Sequence, residues 1–266
     1  MRDASRDSVT PGGSPAPLGG RGGLADGRRT RPEPTAASSS LAGSLRDPPF
    51  ASSPWVVAAI LVGALGAYAA IAADVVEGGR LSAVDEDLSE WVARSMPSVA
   101  EWIARVLSWI GGWIGVTIIV VAALVWLLRH GETALGVLLL VVVLGGQLLN
   151  SLAKDGYDRP RPTAGSPIDL PSSSSFPSGH AMTGIAVFGL LGLILSRELA
   201  SGRGRTAAVI AGFALGALIG ASRVVLNVHF LTDVLGGAAL GLAWLAACLL
   251  ACIVIGGRRR RYAEPS

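Results

Sequence analysis

Three short polar clusters stand among long apolar runs between Lys154 and Asp233. The first is Lys154 followed by Arg161-Pro162. The second is Pro177-Ser178-Gly179-His180. The third is Ser222-Arg223 with His229 and Asp233. Lys154 is the only lysine among 22 basic Lys and Arg residues, and two of the three histidines, His180 and His229, share its stretch. Any one of these residues alone reads as an ordinary membrane-edge side chain. The set, at its spacing, does not.

Lys154, Arg161 and Arg223 bring cations into or beside apolar runs. Each costs ~2.5–3.5 kcal/mol at a helix centre and less near an end, so each calls for an anionic partner or a role. Asp155, Asp158 and Asp169 are near enough in sequence to serve as partners, and they account for Arg159. They do not account for two histidines and a Pro-Ser-Gly-His turn. Ser178 suits a helix N-cap, and Gly179 lets an anion approach the backbone. The free N–H groups of a helix start favour phosphate, although the tetrapeptide alone also reads as a plain cap. His229 and Asp233, four apart, share one face of a helix. A carboxylate on one ring nitrogen fixes the tautomer and leaves the other nitrogen a nucleophile. It also stabilises the positive ring formed on attack. His180 then suits a general acid, a role contributing ~10²–10⁴ in rate, while the cations and amides hold the non-reacting phosphoryl oxygens. A metal triad of His180, His229 and Asp233 is the competing assembly. Three adjacent cations would repel a divalent ion, so no metal ligands are assigned.

The elements that position these clusters are membrane spans. With 51% hydrophobic and 15% charged residues and a mean hydropathy of +0.53, the chain departs from a soluble domain. A net charge of +3, unevenly placed, makes no case for nucleic acid. Residues 1–50, rich in Pro, Gly, Ser and Arg, read as a disordered cytoplasmic tail. Residues 51–257 form the span-bearing domain, and 258–266 a basic cytoplasmic tail. Six runs, near 55–73, 107–128, 133–152, 180–196, 206–226 and 233–256, are each long enough to cross ~30 Å of hydrocarbon. Between the first two, Leu81, Val84, Leu88, Trp91 and Val92, then Trp102, Ile103, Val106 and Leu107, follow helical spacing. They predict one or two amphipathic helices on the membrane surface. Arginines before span one, between spans four and five, and after span six put both termini in the cytoplasm. All three clusters then fall on the opposite face. Cys248 and Cys252 read as packing residues.

The signature Lys154–Arg161-Pro162, Pro177-Ser178-Gly179-His180, Ser222-Arg223–His229–Asp233 resembles that of the type 2 phosphatidic acid phosphatase superfamily in order and spacing. The resemblance implies an all-α membrane protein of six transmembrane helices. In it His229 is the nucleophile forming a phosphohistidine, Asp233 orients and charge-stabilises it, and His180 is the general acid. Lys154, Arg161, Ser178, Gly179 and Arg223 bind phosphate. No cofactor is implied. The partners are the bilayer and a lipid phosphate or pyrophosphate. Undecaprenyl pyrophosphate ranks first for an outward-facing site, with phosphatidic acid and phosphatidylglycerol phosphate as alternatives. A lipid-linked phosphotransferase and a non-catalytic lipid phosphate binder or transporter are the readings from other classes. Lipid identity and oligomeric state are not set by the sequence.

Overall fold

A computed structural model describes residues 53–263 except 164, 167 and 169–171, with side chains described as far as 256. The expected tail at 1–50, the side chains of the basic tail from 258, and Asp169 lie outside the described residues. The described residues form helices joined by turns and irregular loops: α1 Pro54–Glu77, α2 Arg80–Ser95, α3 Ser98–Gly111, α4 Trp113–Arg129, α5 Thr133–Asp155, α6 Gly179–Thr183, a π-helical turn Gly184–Phe188, α7 Gly189–Glu198, α8 Gly202–Val225 and α9 Leu231–Ala263.

Five stretches are long and apolar enough to cross a bilayer: α1, α5, the continuous segment Gly179–Glu198, α8, and α9 as far as Gly256. Their outward faces are apolar. Leu144, Leu148 and Leu152 of α5 are each more than 60% exposed, which suits hydrocarbon and not water. The run expected as a single span over 107–128 is instead two helices. α3 and α4 meet at 52° and reach spanning length only as a pair. The cause is local. Gly112 is extended, at φ −75° and ψ 169°, and its N–H turns back to the Trp109 carbonyl at 3.2 Å. A Cβ there would sit 3.2 Å from the Ser108 carbonyl and 3.8 Å from His180 Nε2. A side chain at 112 would therefore press on the Ser108 carbonyl and come into contact with a histidine of the polar clusters.

The amphipathic segment resolves into α2 and α3. Most of their apolar residues point away from the protein: Leu81, Val84 and Trp91 on α2, and Trp102, Ile103 and Trp109 on α3, are exposed, whereas Val92, expected on the same stripe, is buried. The inward faces carry small and polar residues: Asp85, Ser89 and Val92 on α2, and Ala104, Ser108 and Gly111 on α3.

Leu127, Leu139, Val142, Leu190, Ile219 and Leu245 interlock at the centre of the bundle, drawn from α4, α5, α7, α8 and α9. Beside this core α8 runs against the α6–α7 segment at backbone distance. A Cβ on Gly216 would lie 2.5 Å from the Gly184 carbonyl oxygen, and one on Gly192 would lie 2.7 Å from that of Ala208. Small residues at fourfold spacing allow this approach where lipid offers no hydrophobic drive to pack helices.

The contact sets opposite signs for two glycine substitutions. Gly216→Ala should lower the thermal midpoint in detergent, at a cost of about 1–3 kcal/mol for overpacking. Gly63→Ala, with nothing within 4 Å of the new Cβ, should hold or raise it, since alanine gains roughly 0.5–1 kcal/mol in a helix. Equal midpoints for the two variants would contradict the close packing of α8.

Candidate active site

The spacing of Arg223, His229 and Asp233 follows from how two helices end and begin. α8 closes in a Schellman motif. Asn227 takes the left-handed conformation, at φ 51°. Its N–H bonds to the Val224 carbonyl at 2.8 Å, and that of Val228 bonds to the Arg223 carbonyl at 3.1 Å. Asparagine tolerates this region better than most residues. The turn brings His229 back over Arg223, whose carbonyl also accepts the His229 N–H at 3.3 Å. α9 then starts at Leu231. Asp233, in its first turn, accepts the Phe230 N–H at 2.9 Å, the reciprocal half of a capping box. His229 thus stands just before the helix, not on it, and still meets Asp233: Nδ1 and Oδ2 are 3.3 Å apart.

Arginine carries only donors, and Arg161 Nη1 lies 3.2 Å from His229 Nε2. Nε2 is therefore the acceptor, and Nδ1 carries the proton donated to Asp233. Arg161 is held in turn by the Val228 carbonyl at 2.9 Å and the Ser173 carbonyl at 3.2 Å. Lys154 Nζ, in the last turn of α5, donates to the Ser174 carbonyl. The two cations of the first cluster thus grip the segment leading into the Pro-Ser-Gly-His turn. Arg223 is buried at the end of α8, and its Nη1 donates to Ser108 Oγ on α3. His180, at the start of α6, lies against the Ser108 backbone and within electrostatic reach of Arg223 and His229. All six charged or titratable residues expected at the site come together.

Ser178 occupies the N-cap position of α6, but its side chain makes no cap hydrogen bond. Its N–H instead donates to the Asp233 carbonyl at 2.9 Å. Ser178 Oγ, Arg223 Nε and Asn150 Oδ1 are buried with no hydrogen-bond partner. Buried polar atoms are rarely left so. Two of the three are donors, beside Gly179 and three cations, which is chemistry suited to phosphoryl oxygens. Asn150 lies against Gly179, where a Cβ would come within 3.2 Å of its Oδ1. Among the described residues no three His, Cys, Asp or Glu side chains gather as metal ligands.

Several residues here escape a reading of spacing. Arg159 does not pair with neighbouring acids as expected. Its guanidinium bridges Asp233 at 2.6 Å and Asp85 at 2.8 Å, and it lies over the Phe230 ring at 4.6 Å. Ser175 Oγ donates to Asp233 Oδ2. Arg159 stands two residues before Arg161, inside the first cluster, and that position was the only signal.

The geometry describes a helical membrane bundle with a cationic, histidine-bearing cluster at the ends of its helices. Residues 135–253 match the family model of the PAP2 superfamily. Over 109 residues the chain is 42% identical to phosphatidylglycerophosphatase B of Bacillus subtilis (strain 168), covering 40% of this chain and 53% of that protein. The chain thus spans about half the length of the curated relative it matches. A crystal structure of a transmembrane PAP2 type phosphatidylglycerolphosphate phosphatase from Bacillus subtilis is similar at a TM-score of 0.61 and 25% identity, over 78% of this chain and 97% of that one.

Burial pushes the His229 imidazole down from 6.5 to about 4; Asp233 opposes the shift, and Arg161 and Arg223 add to it. The folded site therefore refuses a proton that the unfolded chain accepts between these values. Stability should fall as pH drops from about 6.5 to about 4, by on the order of 3 kcal/mol in all. Thermal melting of wild type and His229→Gln at pH 7 and pH 4.5 measures this. The variant should lose less on acidification; equal losses would contradict a neutral buried His229.

Proposed function

We propose that this chain hydrolyses the phosphomonoester of a lipid phosphate through a phosphohistidine at His229, with phosphatidylglycerol phosphate the leading substrate. The observation that carries the reading is the orientation of His229. Asp233 holds Nδ1–H, and the Nε2 lone pair faces Arg161 at 3.2 Å. The names of the two Bacillus relatives put phosphatidylglycerol phosphate ahead of undecaprenyl pyrophosphate.

In the first half-reaction Nε2 attacks phosphorus, the N–P bond forms, and the P–O bond to the lipid breaks. His180 gives its proton to the departing alkoxide, and Asp233 stabilises the imidazolium. In the second, water attacks phosphorus and loses a proton to His180. The N–P bond breaks and phosphate leaves. Lys154, Arg161 and Arg223, with Ser178 Oγ and the Gly179 N–H, take the equatorial oxygens as charge develops.

The membrane setting follows the same reading. If the bent α3–α4 pair crosses the bilayer, the spans number six. The end of α5, the start of α6, the end of α8 and the start of α9 then share one face. Arginine placement puts that face outside the plasma membrane, with both termini in the cytoplasm. α2 and the outward face of α3 lie in the interface, with Trp91, Trp102 and Trp109 at headgroup level.

Detergent-purified protein should release phosphate from phosphatidylglycerol phosphate with a chelator present, faster than from phosphatidic acid or undecaprenyl pyrophosphate. His229→Ala should abolish release, and Lys154→Ala or Arg223→Ala should reduce it at least about 10²-fold. Strict dependence on added divalent metal, or full activity of His229→Ala, would refute the mechanism.

A further inference from the structure

We propose that α2, which is not among the spans, is a clamp on the segment carrying His229, and that Asp85 and Ser89 are positioning residues for the reaction. The inference rests on the reading of His229 as nucleophile. Asp85 and Ser89 lie four apart on α2, so their side chains leave the same face. They bracket His229 from both sides. Ser89 Oγ donates to Asn227 Oδ1 at 2.8 Å, two residues before the histidine. Asp85 Oδ1 accepts the Thr232 N–H at 3.1 Å, three residues after it. Asp85 Oδ2 also accepts from Thr232 Oγ1 and from Arg159 Nη2, the latter at 2.8 Å. The same guanidinium reaches Asp233.

One buried carboxylate therefore does two things. It accepts a free N–H at the start of α9, where negative charge is favoured, and it holds the arginine that holds Asp233. Both bear on the direction of the His229 ring, and neither touches the anion site. Asp85 and Ser89 are 2% and 6% exposed, while Leu81, Val84 and Trp91 of the same helix point outward. A helix serving only as a membrane float has no use for an inward carboxylate tied across 147 residues of chain. Attack on phosphorus tolerates little misalignment: about 1 Å can cost ~10²-fold. Loosening the clamp should lower turnover while leaving phosphate capture to Lys154, Arg161 and Arg223.

The test uses the full chain in detergent, with phosphatidylglycerol phosphate as substrate and two inhibitors. Inorganic phosphate reports the anion site. Orthovanadate, which takes a fifth ligand from the attacking nitrogen, reports the nucleophile's aim. Asp85→Asn should lower kcat about 10- to 100-fold and weaken vanadate inhibition similarly, with KM and phosphate inhibition within about twofold of wild type. Ser89→Ala, one hydrogen bond lighter, should show the same pattern at about threefold. Leu81→Ala, on the outward face, should match wild type. If Asp85→Asn does not fold, Ser89→Ala decides. Wild-type kcat in a folded Asp85→Asn or Ser89→Ala protein overturns the clamp. So does a fall in kcat matched by an equal loss of phosphate inhibition, which marks general loosening. A wild-type protein inert towards lipid phosphates would instead fault the underlying functional reading.

Discussion

A carboxylate buried away from water needs other charges and donors around it, and Asp233 is fully buried. Its oxygens are taken by Arg159, Ser175, the Phe230 N–H and His229. These partners come from the loop after α5, the stretch before α6, and the turn between α8 and α9. Holding one anion thus draws together the pieces that carry all three polar clusters. The orientation of His229 follows from it, because the carboxylate decides which ring nitrogen keeps its proton.

Around that anion the bundle is built for close approach and little give. The α8 glycines meet backbone, not side chains, across from Gly184 and Gly192. Arg223 and His180, at the site ends of these two elements, are therefore set by the main chain. The Gly112 break turns Ser108 inward to Arg223 and leaves room for His180. Cations are kept at the helix ends by partners that are mostly carbonyl oxygens. Carbonyls hold a guanidinium or ammonium in place without neutralising it, so its charge still acts on an arriving anion.

Much of the site was legible because its chemistry is rare in an apolar chain. A lone lysine, two histidines and a Pro-Ser-Gly-His turn stand out against runs of Leu, Val and Ala. The Schellman turn at Asn227 gives the physical reason for the spacing from Arg223 to His229. The break in the second apolar run was not legible, because composition shows hydropathy and not the bend at an extended Gly112. Asp85 was not legible. It is one of four acids between residues 85 and 90, and spacing alone does not show which faces inward. Its partner lies 147 residues away. Arg159 was assigned to neighbouring acids because sequence offers only neighbours, whereas folding supplied Asp85 and Asp233.

The central claim is that His229 Nε2 forms a bond to phosphorus, and trapping that bond tests it most directly. Protein mixed with lipid phosphate labelled in its terminal phosphoryl group would be quenched under denaturing alkaline conditions within one turnover and mapped by peptide. The account expects label on His229, stable to base and lost in acid, and absent in His229→Ala. Label on another residue, or turnover with label on no residue in rapidly quenched samples, would contradict it.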